Sequence, residues 1–140
     1  MRLIHTLPIL LFPCLFVMTA CKKEAGPGGT STIKGRIHAD YYNKNYSILT
    51  ASGYAPDVDV YIIYGNEGTY GNKQKTSFDG TYEFKYLQQG TYKIYTYSKD
   101  TTGAHTFQPN TFAPNVAVVQ TAEVTKRNQT VQVIDMNIIK

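Results

Sequence analysis

Apolar residues occupy alternate positions in several short windows of the chain, the first of which is Thr32–His38. Ile33 and Ile37 lie on one face of that window, and mainly polar residues occupy the other. The remaining windows are 58–63, 72–78, 82–85, 92–97, 116–119 and 131–138. A period of two residues is typical of a half-buried β-strand, and Gly, Asn, Asp or Pro bounds each window. Seven such strands predict an all-β domain over residues 32–140, built as a seven-stranded antiparallel β-sandwich.

The last of these windows changes the phase of its alternation. Val131 and Val133 begin on one face, whereas Ile134, Met136 and Ile138 continue on the other. Because a shift of one residue exchanges the two faces of a strand, we predict a bulge here or a strand that is covered on both sides.

A short phrase is repeated at the centre of the chain, as Gly80-Thr81-Tyr82 and again as Gly90-Thr91-Tyr92. Asp79-Gly80 is a turn dipeptide, and Gly90 ends a second turn. Each repeat therefore predicts one arm of a hairpin, in which glycine makes the turn and the tyrosine is a large inward side chain.

The same stretch resembles a known signature, T-x-x-D-G-x-Y-x-F-x-x-L-x-x-G-x-Y-x-[VI]. It is filled here by Thr76, Asp79, Gly80, Tyr82, Phe84, Leu87, Gly90, Tyr92 and Ile94. This signature is similar to that of carboxypeptidase-regulatory-like and Cna-B-like domains, and the resemblance implies a seven-stranded, Ig-like or transthyretin-like sandwich. It says little about activity, because this fold serves many functions. The Cna-B resemblance also suggests an isopeptide bond between Lys34 and Asn137. The alternation argues against this bond, because it places Lys34 on the solvent face.

The N-terminus has the layout of an export signal. Arg2 precedes the nearly unbroken apolar run 7–18, which is too short to span a bilayer comfortably and is followed by small residues. Val17-Met18-Thr19-Ala20-Cys21 resembles the lipobox of bacterial lipoproteins. The resemblance implies a signal peptide over residues 1–20 and a mature protein that begins at Cys21, which carries acyl chains such as palmitate on its sulfur and amine.

Residues 21–31 are predicted to be the lipidated cysteine and a flexible linker, because Gly and other small residues dominate them. Charged residues directly after Cys21 resemble the signals that send lipoproteins to the outer membrane in some Gram-negative bacteria. We therefore expect an exported protein that is anchored in a membrane through Cys21, in the outer membrane, on either its periplasmic or its surface face.

Charge and cysteine content exclude several kinds of function. Without Arg2, the chain keeps 13 of its 14 Lys and Arg residues against 10 Asp and Glu, a net charge of +3 that is too small and scattered to indicate nucleic-acid binding. Of the two cysteines, Cys14 leaves with the signal and Cys21 carries lipid, so no disulfide is predicted. The histidines form no catalytic set and no zinc pattern, so we predict no enzyme activity, no cofactor and no metal. A weak calcium site at Asp57 and Asp59 is the alternative to a solvated face.

Two long segments, 39–55 and 98–115, are predicted to be loops at the end of the sandwich opposite the linker, together with the Asp79-Gly80 turn. They are rich in Tyr, Phe, Asn and Ser, a composition that suits recognition of a protein or a glycan. The candidate partner-binding residues are Tyr41, Tyr42, Tyr46, Tyr54, His105, Phe107 and Phe112.

The sequence thus favours a lipid-anchored, non-enzymatic binding module whose partner is an outer-membrane protein complex or a surface glycan. The alternative is a structural or assembly subunit, such as an adhesin-like or pilus-like spacer, that uses its strand edges. An enzyme or an enzyme's accessory domain is the least favoured hypothesis. Asp100-Thr101-Thr102 also resembles a short O-glycosylation motif of some Gram-negative bacteria, and Asn128 begins an N-glycosylation triplet.

Overall fold

A computed structural model describes residues 24–101 and 113–140 of the protein. Nine β-strands account for all regular structure in these two ranges. They are β1 (Pro27–Tyr42), β2 (Leu49–Tyr54), β3 (Asp59–Tyr64), β4 (Asn72–Lys75), β5 (Thr81–Leu87), β6 (Gly90–Lys99), β7 (Asn115–Val124), β8 (Thr130–Gln132) and β9 (Met136–Ile139). The prediction of an all-β domain is confirmed.

The strands form two sheets. In the first sheet, β1 is the central strand, with β5 and β2 placed end to end along one edge and β8 and β9 along the other. β8 and β9 run parallel to β1, so the prediction of a wholly antiparallel fold is wrong for these two strands. The second sheet has the order β4-β3-β6-β7 and is antiparallel throughout.

Side chains from both sheets form one buried core. Its largest fully buried members are Tyr82, Tyr92, Phe84, Ile33, Ile37, Ile62, Ile94 and Met136. Two sheets that share one core are consistent with a β-sandwich. The inward tyrosines of the repeated phrase are confirmed, because Tyr82 and Tyr92 are both buried.

The count of seven strands was too low for two reasons. Segment 39–55 was expected to be a loop, but β1 continues to Tyr42 and pairs with the extra strand β2. The last predicted strand is divided, because residues 133–135 interrupt it and separate β8 from β9. Val133 and Met136 are buried on either side of the exposed Ile134, as expected from the change of phase in the sequence.

The predicted flexible linker is partly strand. β1 begins at Pro27 rather than at Thr32, and Ala25 packs against the core. The backbone N–H of the buried Gly26 donates to the hydroxyl of Tyr92, with an N···O distance of 3.1 Å. Within the described residues only Glu24 and Ala25 precede Gly26, so the chain is fixed much closer to Cys21 than the composition indicated.

Ser98, where the second long segment begins, lies near the β1–β2 hairpin. The Ser98 hydroxyl accepts a hydrogen bond from Ile139 N at 2.8 Å, and Lys140 exchanges backbone hydrogen bonds with Asp40 and Tyr42. These bonds connect the base of the β6–β7 segment to the β1–β2 hairpin. Gly26 and Tyr92 lie at the other end of the domain, so the N-terminal attachment is opposite Ser98 and the β1–β2 hairpin.

The Asp79-Gly80 turn does not reach the end of the domain at which it was expected. Gly80 O accepts a hydrogen bond from the backbone N–H of Ile37, the eleventh of the sixteen residues of β1, and β2 pairs with the remaining residues of that edge. Hydrogen bonds from Ser77 and Thr81 lower the pKa of the Asp79 carboxyl to about 2. The turn is therefore built around a carboxylate that accepts these bonds in its charged form.

The register of the first sheet separates Lys34 from Asn137. Lys34 pairs with Gln132 and Asn137 pairs with His38, four residues farther along β1. Four residues of strand correspond to about 13 Å. These positions do not fit an isopeptide bond.

Candidate functional site

The outer face of the second sheet carries a group of tyrosines. On β3, Val60 and Ile62 point into the core, which leaves Tyr61 on the outer face. On β6, Tyr92, Ile94 and Thr96 are buried, which leaves Tyr95 and Tyr97 outside. Tyr70, from the connection between β3 and β4, completes the group. We call Tyr61, Tyr70, Tyr95 and Tyr97 the tyrosine platform.

The four rings of the tyrosine platform are in contact. Tyr61 and Tyr95 are directly opposite each other on paired strands, and their rings stack with centroids 4.9 Å apart at 14°. Tyr70 packs edge-on against Tyr61 at 5.0 Å, and Tyr97 packs edge-on against Tyr61 at 5.9 Å and Tyr95 at 5.7 Å. Stacked and edge-to-face pairs each add roughly 0.5–1.5 kcal/mol beyond buried area. The rings therefore hold one another in place.

The tyrosine platform is also accessible. Tyr70 is 52% exposed and Tyr97 is 47% exposed, while Tyr61 and Tyr95 are half-buried between their neighbours. Burial raises the pKa of the Tyr95 hydroxyl, and the neighbouring Tyr97 raises it further. The platform presents ring surfaces together with phenol hydroxyls that can donate and accept hydrogen bonds.

Lysine–aspartate pairs border the tyrosine platform on the β4 side. Lys73 Nζ lies 3.6 Å from Asp59 Oδ1 and 5.9 Å from the centroid of the Tyr61 ring. Lys75 Nζ donates to Asp57 at 2.6 Å, and this hydrogen bond lowers the pKa of Asp57 and raises that of Lys75. Both aspartates of the alternative calcium site are thus engaged by lysines.

The predicted loop tyrosines do not gather on one surface. Tyr41 packs against the core from the inner face of β1, while Tyr54 lies on the outer face of β2. Tyr42 ends β1, and Tyr46 lies in the 43–48 turn with a positive φ of 53°. Their role in binding stays a prediction. His105, Phe107 and Phe112, like the lipidation site Cys21, lie outside the described residues.

The Tyr54 side chain contacts three other side chains of the protein. The guanidinium carbon of Arg36 lies 3.3 Å from the centroid of the Tyr54 ring, and the Tyr54 hydroxyl donates to Asp135 Oδ2 at 3.0 Å. His38 packs edge-on against the ring at 5.6 Å. Tyr54 is 42% exposed, but a ligand that binds its ring or hydroxyl would have to displace these contacts.

The β1–β2 pairing brings together a serine, a histidine and an aspartate that the sequence did not indicate as a set. Ser52 Oγ lies 3.5 Å from His38 Nε2, and His38 Nδ1 lies 3.8 Å from Asp40 Oδ1. The Ser52 hydroxyl, however, donates to Asp40 at 2.6 Å. Because a hydroxyl has one hydrogen, His38 is not placed to take it, as nucleophilic catalysis by a serine requires.

Other kinds of site find no support in the described ranges. No group of three or more His, Cys, Asp or Glu side chains there could hold a metal ion. Residues 24–101 and 113–140 also contain no helix long and apolar enough to cross a membrane.

A signal for the tyrosine platform was present in the sequence. In windows 58–63 and 92–97, the alternation places Tyr61, Tyr95 and Tyr97 on the outward face, but outward positions of a half-buried strand are usually solvated ones. The pairing of Tyr61 with Tyr95 depends on register, which alternation alone does not define.

No family model matches the sequence, and no curated protein matches it. Among solved structures it is similar to a Pseudomonas aeruginosa protein to which a carbohydrate-binding role is provisionally assigned, with 13% sequence identity and a TM-score of 0.46. The match covers 83% of this chain and 92% of that one.

Proposed function

We propose that this protein is a non-enzymatic binding module of the bacterial cell envelope that binds its partner through the tyrosine platform. The platform supports this proposal because its four tyrosine rings are fixed by mutual contact, yet two of them, Tyr70 and Tyr97, are about half exposed. Tyrosine is enriched at binding hot spots because it offers a large rigid surface and a hydroxyl at a small entropic cost.

The domain is proposed to be a transthyretin-like sandwich that is anchored through a lipid on Cys21, in the outer membrane. Gly26 is fixed to Tyr92, so only four residues, and five steps from one residue to the next, separate the lipidated cysteine from the folded domain. Five such steps span at most about 18 Å. The end of the domain that carries Gly26 would then lie close to the membrane, and the tyrosine platform would stand on the side of the domain.

The non-enzymatic part of the proposal is supported by the Ser52–Asp40 hydrogen bond, which points the serine proton away from His38. A general esterase and glycosidase screen of the full chain, run beside Ser52→Ala, tests it. Turnover that Ser52→Ala abolishes would contradict it.

A pull-down of the partner from native membranes tests whether the tyrosine platform is the binding surface. We expect the Tyr70→Ser/Tyr97→Ser double variant of the tagged full chain to lose at least about tenfold in partner recovery, because hot-spot tyrosines contribute roughly 2 kcal/mol or more each. Quantitative pull-down, after thermal unfolding has shown that both proteins are folded, measures this.

Tyr42→Ser/Tyr46→Ser is the matched control, because it removes two tyrosines of the predicted loop and leaves the platform intact. The proposal holds if only the platform variant loses the partner. If only the loop variant loses it, the binding surface is at the β1–β2 turn and the platform is structural.

A second candidate function, assembly through strand edges, is favoured by β7. This ten-residue strand is the last of its sheet and has a single charged residue, Glu123. Val116 is 44% exposed and Val119 is 50% exposed. Natural edge strands are usually short, charged or covered, and a long apolar edge invites pairing with another strand. We propose a second copy as that strand, because a nearly uncharged edge meets little like-charge repulsion when it pairs with itself.

Disulfide cross-linking in membranes tests this second function. Val119→Cys places a thiol at the exposed middle of β7, which lies close to its own copy when two β7 strands pair antiparallel, and we expect it to give a covalent dimer as the main product under mild oxidation. Phe78→Cys is the control, because Phe78 is 93% exposed but lies in the β4–β5 turn. Equal dimer yields from the two variants, or from the unaltered chain, would contradict assembly through β7.

A further inference from the structure

The outer face of β6 carries two lysines in line with two tyrosines of the platform. Lys93, Tyr95, Tyr97 and Lys99 alternate with the buried residues of the strand, so all four lie on one face. From Lys93 to Lys99 is six residues, or about 20 Å of strand. We call these four residues the β6 stripe.

The two lysines of the β6 stripe are free to bind a ligand. Lys73 and Lys75 are paired with aspartates. Lys93 and Lys99, by contrast, have no ion pair and no side-chain hydrogen bond within the described residues. Lys93 is opposite Ile63 and Thr121, and Lys99 is opposite Asn115, so no carboxylate is paired with either one across the sheet. The stripe therefore has an ammonium group outside any ion pair of the described residues at each end and aromatic rings between them, and Glu123, diagonal to Lys93 on β7, is the carboxylate that shares this face.

β6 is an interior strand, and this limits what the stripe can bind. Its backbone is paired with β3 on one side and β7 on the other. A peptide that binds as an added strand needs an unpaired sheet edge, so β6 offers it no backbone partner. Recognition must come from side chains alone, namely ring faces, phenol hydroxyls and ammonium groups.

From these observations we infer that the β6 stripe binds an acidic polysaccharide. Sugar rings have apolar C–H faces that pack on aromatic rings and hydroxyls that hydrogen-bond to tyrosine and lysine, and uronate carboxylates match the two free ammonium groups. This inference rests on the proposed binding function and specifies its ligand. Neutral sugars would use the tyrosines and lose the charge contacts.

Binding of oligogalacturonates and of their methyl esters to the full chain in detergent tests this inference. The two ligands share one backbone, and only the first is charged. We expect the parent to prefer the acidic ligand by about tenfold at low salt, because each exposed ion pair contributes up to about fivefold in affinity. The preference should shrink at 1 M salt, where screening is strong.

Lys93→Gln/Lys99→Gln should lose the preference and retain weak binding of the ester. Lys44→Gln/Lys126→Gln is the matched control, because it removes two exposed charges from turns away from the stripe, and it should keep the preference. Tyr95→Ser/Tyr97→Ser should abolish binding of both ligands.

Equal affinity of the parent for acid and ester, or a preference that survives Lys93→Gln/Lys99→Gln, would overturn the acidic-ligand inference and leave the binding function intact. If the parent binds neither ligand but Tyr70 and Tyr97 are still needed for partner recovery from membranes, the identification of the ligand as a saccharide is overturned and the proposed binding function stands. If that recovery is also independent of Tyr70 and Tyr97, the proposed function itself fails.

Discussion

Replacing Tyr92 with alanine is expected to lower the free energy of unfolding by about 3–5 kcal/mol, the usual cost of removing a large buried aromatic side chain. Tyr92 is fully buried, and its ring packs edge-on against Tyr64 at 6.0 Å. Its hydroxyl donates to Gln88 O at 2.7 Å and accepts from Gly26 N at 3.1 Å. The substitution therefore removes core volume and also detaches the start of the folded chain. Chemical denaturation measures the loss.

Tyrosine-to-phenylalanine substitutions separate these two contributions. Tyr92→Phe should cost about 1–3 kcal/mol, because it leaves the buried Gly26 N–H without its partner. Tyr82→Phe, the same change elsewhere in the core, should be neutral or stabilise, because the buried Tyr82 hydroxyl has no hydrogen-bond partner among the described residues. A large loss of stability from Tyr82→Phe would contradict this account of the core.

Both buried tyrosines should also make stability depend on alkaline pH. Burial is the main cause that raises the pKa of each hydroxyl above its ordinary value of 10. The contribution of each protonated hydroxyl to the free energy of unfolding is fully present below the pKa of tyrosine in the unfolded chain. It is lost as the pH rises above that pKa, because the unfolded chain then releases the proton more readily than the folded protein does. Tyr82→Phe should therefore reduce the loss of stability between pH 10 and higher pH.

Replacing Gly29 with alanine is expected to lower the free energy of unfolding by about 2–3 kcal/mol, the upper part of the range for overpacking. A Cβ on Gly29 would clash with the carbonyl group of Leu87 and with Gln88 N, which are backbone atoms that cannot rotate away. The β1–β5 pairing would have to open locally to admit the methyl group. Thermal and denaturant unfolding measure the change.

Gly53→Ala is the matched control, because a Cβ on that β2 residue would meet no atom within 4 Å. It should change stability by about 1 kcal/mol or less. If Gly29→Ala proves as harmless as Gly53→Ala, residues 27–31 do not form a stable part of β1 in solution. The composition-based prediction of a flexible linker would then be correct there.

Local sequence determined most of the strands and the division of their residues between core and surface. Alternation identified Ile33, Ile37, Tyr82 and Tyr92 as core residues, because a strand exchanges its faces at every residue and only apolar side chains gain from burial. The Asp79-Gly80 turn was identified as well, since its chemistry depends on neighbouring residues only.

The tertiary structure decided what local pattern does not encode. Glycines in segment 26–29 indicated a flexible linker, yet Gly29 is needed because another backbone passes beside it. The exposed tyrosines of the loops appeared to be the binding residues, yet Tyr54 is occupied by Arg36 and Asp135, which are distant in sequence. The tyrosine platform forms because register sets Tyr61 opposite Tyr95. Strand pairing sums many backbone hydrogen bonds over a whole sheet, so the neighbours of a residue across the sheet are a property of the assembled fold and not of its own segment.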